Sequence, residues 1–479
     1  MGRKLITVFV AAAMLGVMQV APAAASSSVS TSTEQISANG KSFQVRTVRI
    51  DLTDPMLQLE PVMAEQGFGY DETFQSMIDR TGAIAAVNGT FFNAYEKVAG
   101  TRYPNGLMIA SGQTIHSGEN QSLILMPDKL PVIRNISLGI RVTFVRDKQT
   151  LTYFPWGINK YYGDDSTDQV VWYTPAMGRT IDYPGTKIVI RENVVTEITE
   201  GSVAVPGDGY VYFVGNSANN KQNMLPRIQV GDKVDLESVA KDAVSGQSMD
   251  PSQFVAAIGV GPKLVTNGAV DVDFMRDGFD DPKIVTQANQ RSFVGVDETG
   301  RLVMGTVNGA TVYDEAEVAL ALGLTEAMNM DGGASSALYA DGQMLTSPGR
   351  LLSNALVVRQ LSEARAQIQV NRQFVPDFQG IIRNETTLVP IRPLLTAMNA
   401  EFKWDEEAFR LTVNKNGKTL ILNPDDRNAN LDGQIKELET APALIDGRMY
   451  VPIRFMVETW GGKVDWDPAL FRVIVEIGG

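Results

Sequence analysis

Asn329-Met330-Asp331-Gly332-Gly333-Ala334-Ser335-Ser336 begins at the end of a hydrophobic run, Ala327 to Met330, and precedes a second run, Ala337 to Ala340. The pattern reads as strand, glycine-rich turn, strand. Upstream, Asp314 to Leu322 reads as the clearest helix of the chain, with Asp314 as N-cap and Glu317 three residues later completing a capping box. Downstream, Asn354 to Val358 closes the unit as a last strand. Towards the N-terminus, Phe43 to Ile50 alternates apolar with polar residues as a half-buried strand does. Asp71 to Arg80 reads as a short helix, and Ala83 to Val87 as a buried strand running into Asn88-Gly89-Thr90-Phe91-Phe92-Asn93. From about 120 to 265, short strands such as Lys187 to Ile190 and Tyr210 to Val214 are separated by Gly, Asn and Pro turns, the spacing of an extended mixed sheet or sandwich. The fold class that follows is α+β: a β-rich, mixed-sheet domain of catalytic type with few helices, then a small C-terminal α/β tandem repeat.

The repeat is legible as a constant offset. Val389-Pro390-Ile391-Arg392 recurs from Val451, Trp404-Asp405 from Trp466, and Phe409-Arg410 from Phe471, each 62 positions on. Each copy reads strand, strand, helix, strand, strand, with Pro before or at the helix start and the Trp and Phe as core anchors. The expected organisation is a signal peptide (1–25), a disordered leader (26–42), the larger domain (43–359), a polar linker (360–367) and the paired repeat (368–479).

The bulk numbers narrow the function classes. A chain of 479 residues exceeds one ordinary core, and 44% hydrophobic residues suit a globular protein. The net charge of −13 repels nucleic acid backbones and anionic lipid, so neither is an expected partner. Arg3 and Lys4 precede an uncharged apolar run, Leu5 to Val20, and Ala23-Ala24-Ala25 offers an A-x-A cleavage site, so export is expected, with the mature chain beginning at Ser26. The run is short for a membrane span, and no transmembrane anchor is expected after cleavage. With no cysteine and His116 as the single histidine, disulfides, thiolate sites, multi-His zinc sites and Ser-His-Asp triads are excluded or would need an unusual variant.

Asp331, directly after a strand end, has two readings. It is an Asx turn, or it is a carboxylate presented on a rigid scaffold, with Gly332 and Gly333 letting backbone amides approach a ligand and Ser335 and Ser336 adding hydroxyls. Arg291, with Ser292, reads either as a solvated surface charge or as a planar fork for phosphate. Asn88, before a glycine, reads as a turn residue or a site residue, and His116 as a satisfied loop histidine or a substrate contact. The acidic stretch Asp271, Asp273, Asp277, Asp280 and Asp281 reads as a solvated loop that could hold Ca²⁺, though its spacing is not that of an EF-hand.

The order Asn-Gly-Thr-Phe-Phe at 88–92, then Arg-Ser-Phe-Val-Gly-Val from Arg291, a helix, and Met-Asn-Met-Asp-Gly-Gly-Ala-Ser-Ser from 328, resembles the phosphodiester glycosidase family over roughly 43–360. Residues 368–479 resemble the N-terminal domain of copper amine oxidases. That segment holds no His or Cys, so copper is not supported. The first resemblance implies hydrolysis of a sugar-1-phosphodiester in an envelope or extracellular glycan, with no cofactor required. It implies Asp331 as the catalytic carboxylate, and Arg291, the Gly332 and Gly333 amides, Ser335 and Ser336 on the phosphate. Asn88 and Asn308 would orient sugar hydroxyls or water, with Asn329, Ser292 and His116 as further substrate contacts. Glu119 and Asp297 are candidates for a second carboxylate, and Trp156, Tyr161, Tyr162, Trp172 and Tyr173 for sugar stacking. The alternative is a non-catalytic cell-envelope glycan-binding protein on the same fold. A third reading gives the leading role to the repeat, as a cell-wall contact or retention module.

Overall fold

A computed structural model describes residues 28–445, 447–468 and 471–477. The signal segment expected at 1–25 lies outside them. Seven elements position the site: β1 (Ala83–Asn88), β2 (Asn289–Asp297), β3 (Leu302–Ala310), α1 (Val312–Ala321), β4 (Leu324–Asn329), β5 (Leu338–Ala340) and β6 (Asn354–Gln360). They fall in two antiparallel sheets. One runs Val29–Ala38, Lys41–Ile50, β3, β2, β4, Lys263–Thr266, Ala269–Val270; the other runs Gln343–Thr346, β5, β1, β6, Leu57–Met63. Their apolar faces meet in one core, in which Val48, Val294, Met304 and Met328 from the first sheet bury against Leu59, Val87, Leu338 and Leu356 from the second. A third, thirteen-stranded sheet holds most of the chain between residues 108 and 260. Among the described residues no helix is long and apolar enough to cross a membrane.

Three expectations are corrected. The leader is not disordered where it is described, because Val29–Ala38 pairs along its whole length with Lys41–Ile50 and buries Ile36 and Ala38. Alternation in a Ser/Thr-rich strand is masked when most of its residues face water. The helix N-cap is Thr311, not Asp314: the Thr311 hydroxyl accepts from the Asp314 amide and the Asp314 carboxylate accepts from the Thr311 amide. The capping box is therefore displaced by three residues, and Glu317 takes no part. The linker is partly structural, since Arg365–Val370 forms a strand beside Arg472–Glu476 and buries Ala366.

In the C-terminal part the strand Thr386–Pro390, the helix Ile391–Ala397 and the strand Glu401–Asp405 have counterparts at Arg448–Pro452, Ile453–Thr459 and Lys463–Asp467. The two counterpart strands pair antiparallel, with Val389 opposite its own counterpart Val451. A local two-fold axis therefore passes between these two valines. Only one member of each aromatic pair packs against the core as expected, Trp404 in the first copy and Phe471 in the second. Phe409 is 58% exposed and Trp466 38%, and each Trp meets its Phe edge-on at the surface. The aromatics of the larger domain also divide by burial. Tyr161, Trp172 and Tyr173 belong to its core and cannot stack on a ligand, while Trp156 lies half-exposed edge-on to Tyr162.

Candidate active site

β4 ends at Asn329 in one sheet and β5 begins at Leu338 in the other, so Met330–Ala337 is the corner where the chain crosses between sheets. Asn88, the last residue of β1, holds both ends of that corner. Its Nδ2 donates to the Asp331 carbonyl at 2.6 Å, and its Oδ1 accepts from the Ala337 amide at 2.9 Å. The Asp331 amide donates to the Gly89 carbonyl at 3.3 Å. Gly89 must be glycine for packing reasons, since an added Cβ would stand 1.8 Å from Asn354 Oδ1. Asn88 is buried with its amide committed to backbone. It therefore positions Asp331 and is not the residue that orients sugar or water. Asn88→Ala should cost about 2–3 kcal/mol in urea unfolding, from two backbone groups left unpaired in the interior, and should lower turnover in protein that remains folded.

Asp331 keeps part of its surface open while its carboxyl sits inside the corner. Burial pushes the carboxyl up to about 6, against the opposing pull of the Ser335 hydroxyl, Arg350 and the Gly332 amide. Gly333, at φ 61°, turns the backbone, and the amides of Gly333 and Ala334 have no acceptor among the described residues. Next to this turn lies a cleft of about 330 Å³ lined by Asp71, Tyr95, Arg102, Ala334, Gly349 and Arg350. The Gly349 amide donates to the Ala334 carbonyl at 2.7 Å, tying the Arg350 loop to the corner. Arg350 and Lys283 lie over the exposed Tyr95 ring at 5.3 Å and 5.1 Å from its centre, and Arg350 Nη2 reaches the Tyr95 hydroxyl at 3.4 Å. Asp71 is ion-paired with Arg102. A carboxyl and unspent backbone amides at the corner therefore adjoin a cleft whose open Tyr95 ring takes two cations.

Residues 184–359 match the family model "Phosphodiester glycosidase". Residues 369–475 match the model "Copper amine oxidase N-terminal domain". The first match contains Asp331, Arg291 and Arg350 and begins after Asn88 and His116. Among solved structures, a hypothetical protein from Synechocystis superposes with a TM-score of 0.58 at 22% identity, covering 69% of this chain and 62% of that one. The chain thus spans under two thirds of that relative. A Burkholderia pseudomallei K96243 protein, provisionally named as exported, gives a TM-score of 0.53 at 18% identity over 66% of this chain and 74% of its own. Both likenesses concern the fold. The zebrafish N-acetylglucosamine-1-phosphodiester α-N-acetylglucosaminidase catalytic domain, auto-inhibited by its pro-peptide, gives 0.33 at 12% identity over 70% and 85% of the two chains, too low to compare sites. No curated protein matches by sequence.

Within the phosphodiester glycosidase-like domain the remaining candidates separate by burial. Arg291 is buried, not solvated. Its Nε donates to the Ala310 carbonyl at 3.1 Å and its Nη2 to those of Lys283, Ile284 and Gln287. Only Nη1 is left towards the corner, 3.8 Å from where a Gly332 Cβ would be. Ser335 is enclosed beside Asp331, while the Ser336 hydroxyl donates to the Gln290 carbonyl at 3.3 Å. Asn329 and Ser292 are fully buried and tie strands together: Asn329 Nδ2 donates to Gly261 O at 2.9 Å, and Ser292 O accepts from the Met330 amide. Asn329 Oδ1 and Ser292 Oγ are closed off from solvent and have no partner among the described residues. Asn308 is exposed near the end of β3, and its side chain has no hydrogen bond among the described residues.

His116 is enclosed, not a substrate contact. It stacks on Phe68, hydrogen-bonds Gly106 O through Nδ1, and burial depresses its pKa to about 3. Glu119 is exposed and accepts from Ser137. Asp297 caps the turn at the opposite end of β2 from Arg291, held by Thr299, Arg301 and Arg49. Neither supplies a second carboxylate here; Asp71 lines the cleft instead. In the acidic stretch Asp271 and Asp277 pair with Arg276 and Asp281 caps a short helix. No metal-sized group of carboxylates converges among the described residues. Sequence reading missed Arg350, Lys283, Tyr95 and Asp71, which lie on four separate segments. It also missed Glu315 of α1, which is fully buried, has no hydrogen bond to either carboxyl oxygen, and lies within electrostatic reach of Arg291.

Proposed function

We propose that the protein is an exported hydrolase that cleaves a sugar-1-phosphodiester in an envelope or extracellular glycan. The observation that carries this reading is the Asp331 carboxyl held at the sheet corner next to a cleft lined by Arg350 and Ala334, with Lys283 and Arg350 both over the Tyr95 ring of that cleft and the Gly333 and Ala334 amides free. The diester phosphate sits against the two cations and the amides, and the sugar C1 faces Asp331. In hydrolysis the bond between C1 and the phosphate oxygen breaks, and its electron pair leaves on the phosphomonoester. That anion is already a good leaving group, and Arg350 and Lys283 stabilise its added charge. Water supplies the new oxygen at C1. Asp331 either takes the proton from that water or attacks C1 itself and is released by water in a second step, and the anomeric form of the first product distinguishes the two. With a pKa near 6 the carboxyl is mostly ionised at neutral pH and still basic enough to accept a proton. The C-terminal part reads as a duplicated, non-catalytic appendage.

The test is release of reducing sugar from a panel of sugar-1-phosphodiesters by residues 26–479, with Asp331→Asn as control. Release that survives this change removes Asp331 from the chemistry. Failure on every panel member, together with retained glycan binding, replaces the hydrolase with the non-catalytic reading. Arg350→Ala should raise KM for the diester by about tenfold to a hundredfold, the worth of one charge-assisted contact, while leaving the melting temperature within about 2 °C.

A further inference from the structure

The local two-fold axis between Val389 and Val451 relates two surface clefts of the C-terminal part, and they are not equal. The first, about 790 Å³, includes Ile391, Arg392, Phe402 and Trp404. The second, about 280 Å³, includes the counterparts Ile453, Arg454, Val464 and Trp466. The opposing walls also correspond, and the loss of a side chain at one position opens the first cleft while the other differences make it more apolar. Gly447 stands where the second has Glu385, and Met449 stands where it has Thr387. Phe402 replaces Val464, so the larger cleft also carries more aromatic surface.

The arginines differ in the same direction. Arg454 is tied down by an ion pair with Glu458 and a hydrogen bond to the Val464 carbonyl at 3.1 Å. At the position equivalent to Glu458 the first copy has Thr396, whose hydroxyl turns back onto the Arg392 carbonyl at 3.0 Å. Arg392 is exposed, and its guanidinium has no ion pair or hydrogen bond among the described residues. Beside it, Trp404 and Phe409 stand edge-to-face at 6.1 Å, with Phe409 58% exposed. The two copies differ in kind: a smaller cleft with an ion-paired cation against a larger one with an unpaired guanidinium.

We infer that the cleft around Trp404, Phe409 and Arg392 binds an anionic glycan strand, with sugar faces on the aromatic rings and a phosphate on Arg392, and that its counterpart around Trp466 does not. Broad, weakly polar rings suit the C–H face of a pyranose. The unpaired guanidinium selects a negatively charged substituent, and Glu406 on the cleft wall is an acceptor for hydroxyls. The volume lies within the range of ligand clefts. The choice of a phosphate-bearing glycan rests on the proposed function; the asymmetry of the two clefts does not. A second binding point on the same chain would hold a polymer near Asp331 by effective concentration.

The test uses residues 26–479 carrying Asp331→Asn, so that nothing is consumed, with yeast phosphomannan and neutral mannan as probes in affinity electrophoresis. Phe409→Ala and Trp404→Ala should weaken phosphomannan binding by about tenfold, and Trp466→Ala should leave it unchanged. Arg392→Gln should bring phosphomannan binding down to the level of mannan. Phe409 is largely exposed, so its variant stays folded even if the Trp404 variant does not. Equal effects of Phe409→Ala and Trp466→Ala, or no effect of either, overturn the inference. Preference for mannan, or displacement of phosphomannan by an apolar peptide, overturns the assigned ligand. In the catalytically intact chain, Phe409→Ala leaves turnover of a small sugar-1-phosphodiester unchanged, so a failed hydrolase reading and a failed cleft remain separate results.

Discussion

Asp331→Asn is expected to reduce kcat by at least about a thousandfold, the scale of losing a positioned acid–base or nucleophilic group. The same change should make the folded protein more stable at neutral pH. The reason is the cost of holding an ionised carboxyl inside the corner. Its pKa is raised from 3.8 to about 6 by burial. The folded state therefore holds a proton more tightly than the unfolded state does. This contribution to stability is fully present below pH 3.8 and is lost as pH rises through about 6. After discounting for the part of the residue open to solvent, the loss is about 1–2 kcal/mol. Asn keeps the shape and an acceptor for the Gly332 amide but has no charge to bury. Urea unfolding should therefore show the variant ahead of wild type at pH 7.5 and level with it at pH 4. A variant that is inactive yet no more stable at pH 7.5 would mean that the carboxyl is better solvated than its enclosure indicates. Paired loss of activity and gain of stability is the signature of a group kept for chemistry and not for folding.

How far the residues announced this follows from what each kind of signal can carry. The order of strand, glycine-rich turn and strand around Asp331 was legible because apolar runs and glycines are local. The crossing between two sheets was not, because pairing partners are set by distant segments: β5 lies against β1, some 250 positions earlier. That distance explains why Asn88 read as a substrate contact when it holds the corner. An Asn before a Gly looks the same whether its amide faces solvent or two backbone groups of another strand. Arg291 misled in the opposite sense. A lone arginine before a strand looks solvated, whereas four carbonyls receive it in the interior. Arg350 and Lys283 carried no signal beyond their charge, and they became site residues only through their shared approach to Tyr95. In the C-terminal part the constant offset was visible in sequence, since duplicated anchors are local. The inequality of the two clefts rests on non-anchor positions, Gly447 against Glu385 and Thr396 against Glu458, that a search for recurring motifs passes over.

The second large effect concerns Arg291 and Glu315. Glu315 lies in the first turn of α1, where the helix end favours its charge, yet it is completely buried and neither oxygen is hydrogen-bonded. Burial pushes its carboxyl up to about 8, and the attraction of Arg291 offsets only part of that rise. Arg291→Met removes that attraction together with the donors to four carbonyls, and should destabilise the protein by about 3–5 kcal/mol. Glu315→Gln should behave differently, and its sign depends on pH. A raised carboxyl pKa means stability present below pH 4.5 and lost as pH rises through about 8. The Gln variant has no such loss, so it should match wild type at pH 4 and exceed it at pH 9. In the double variant the two changes should not add, because each removes the partner of the other, and a coupling of about 1–3 kcal/mol is expected from a full cycle of urea curves. Activity then separates structure from chemistry. If Arg291 only braces the Lys283–Gln287 segment, the folded fraction of Arg291→Met keeps its KM for the diester. If Nη1 also reaches the phosphate, KM rises in that folded fraction while Glu315→Gln leaves it unchanged. Additive single-variant effects would show that the two buried groups do not sense each other, and Glu315 would then have no part in holding Arg291 at the corner.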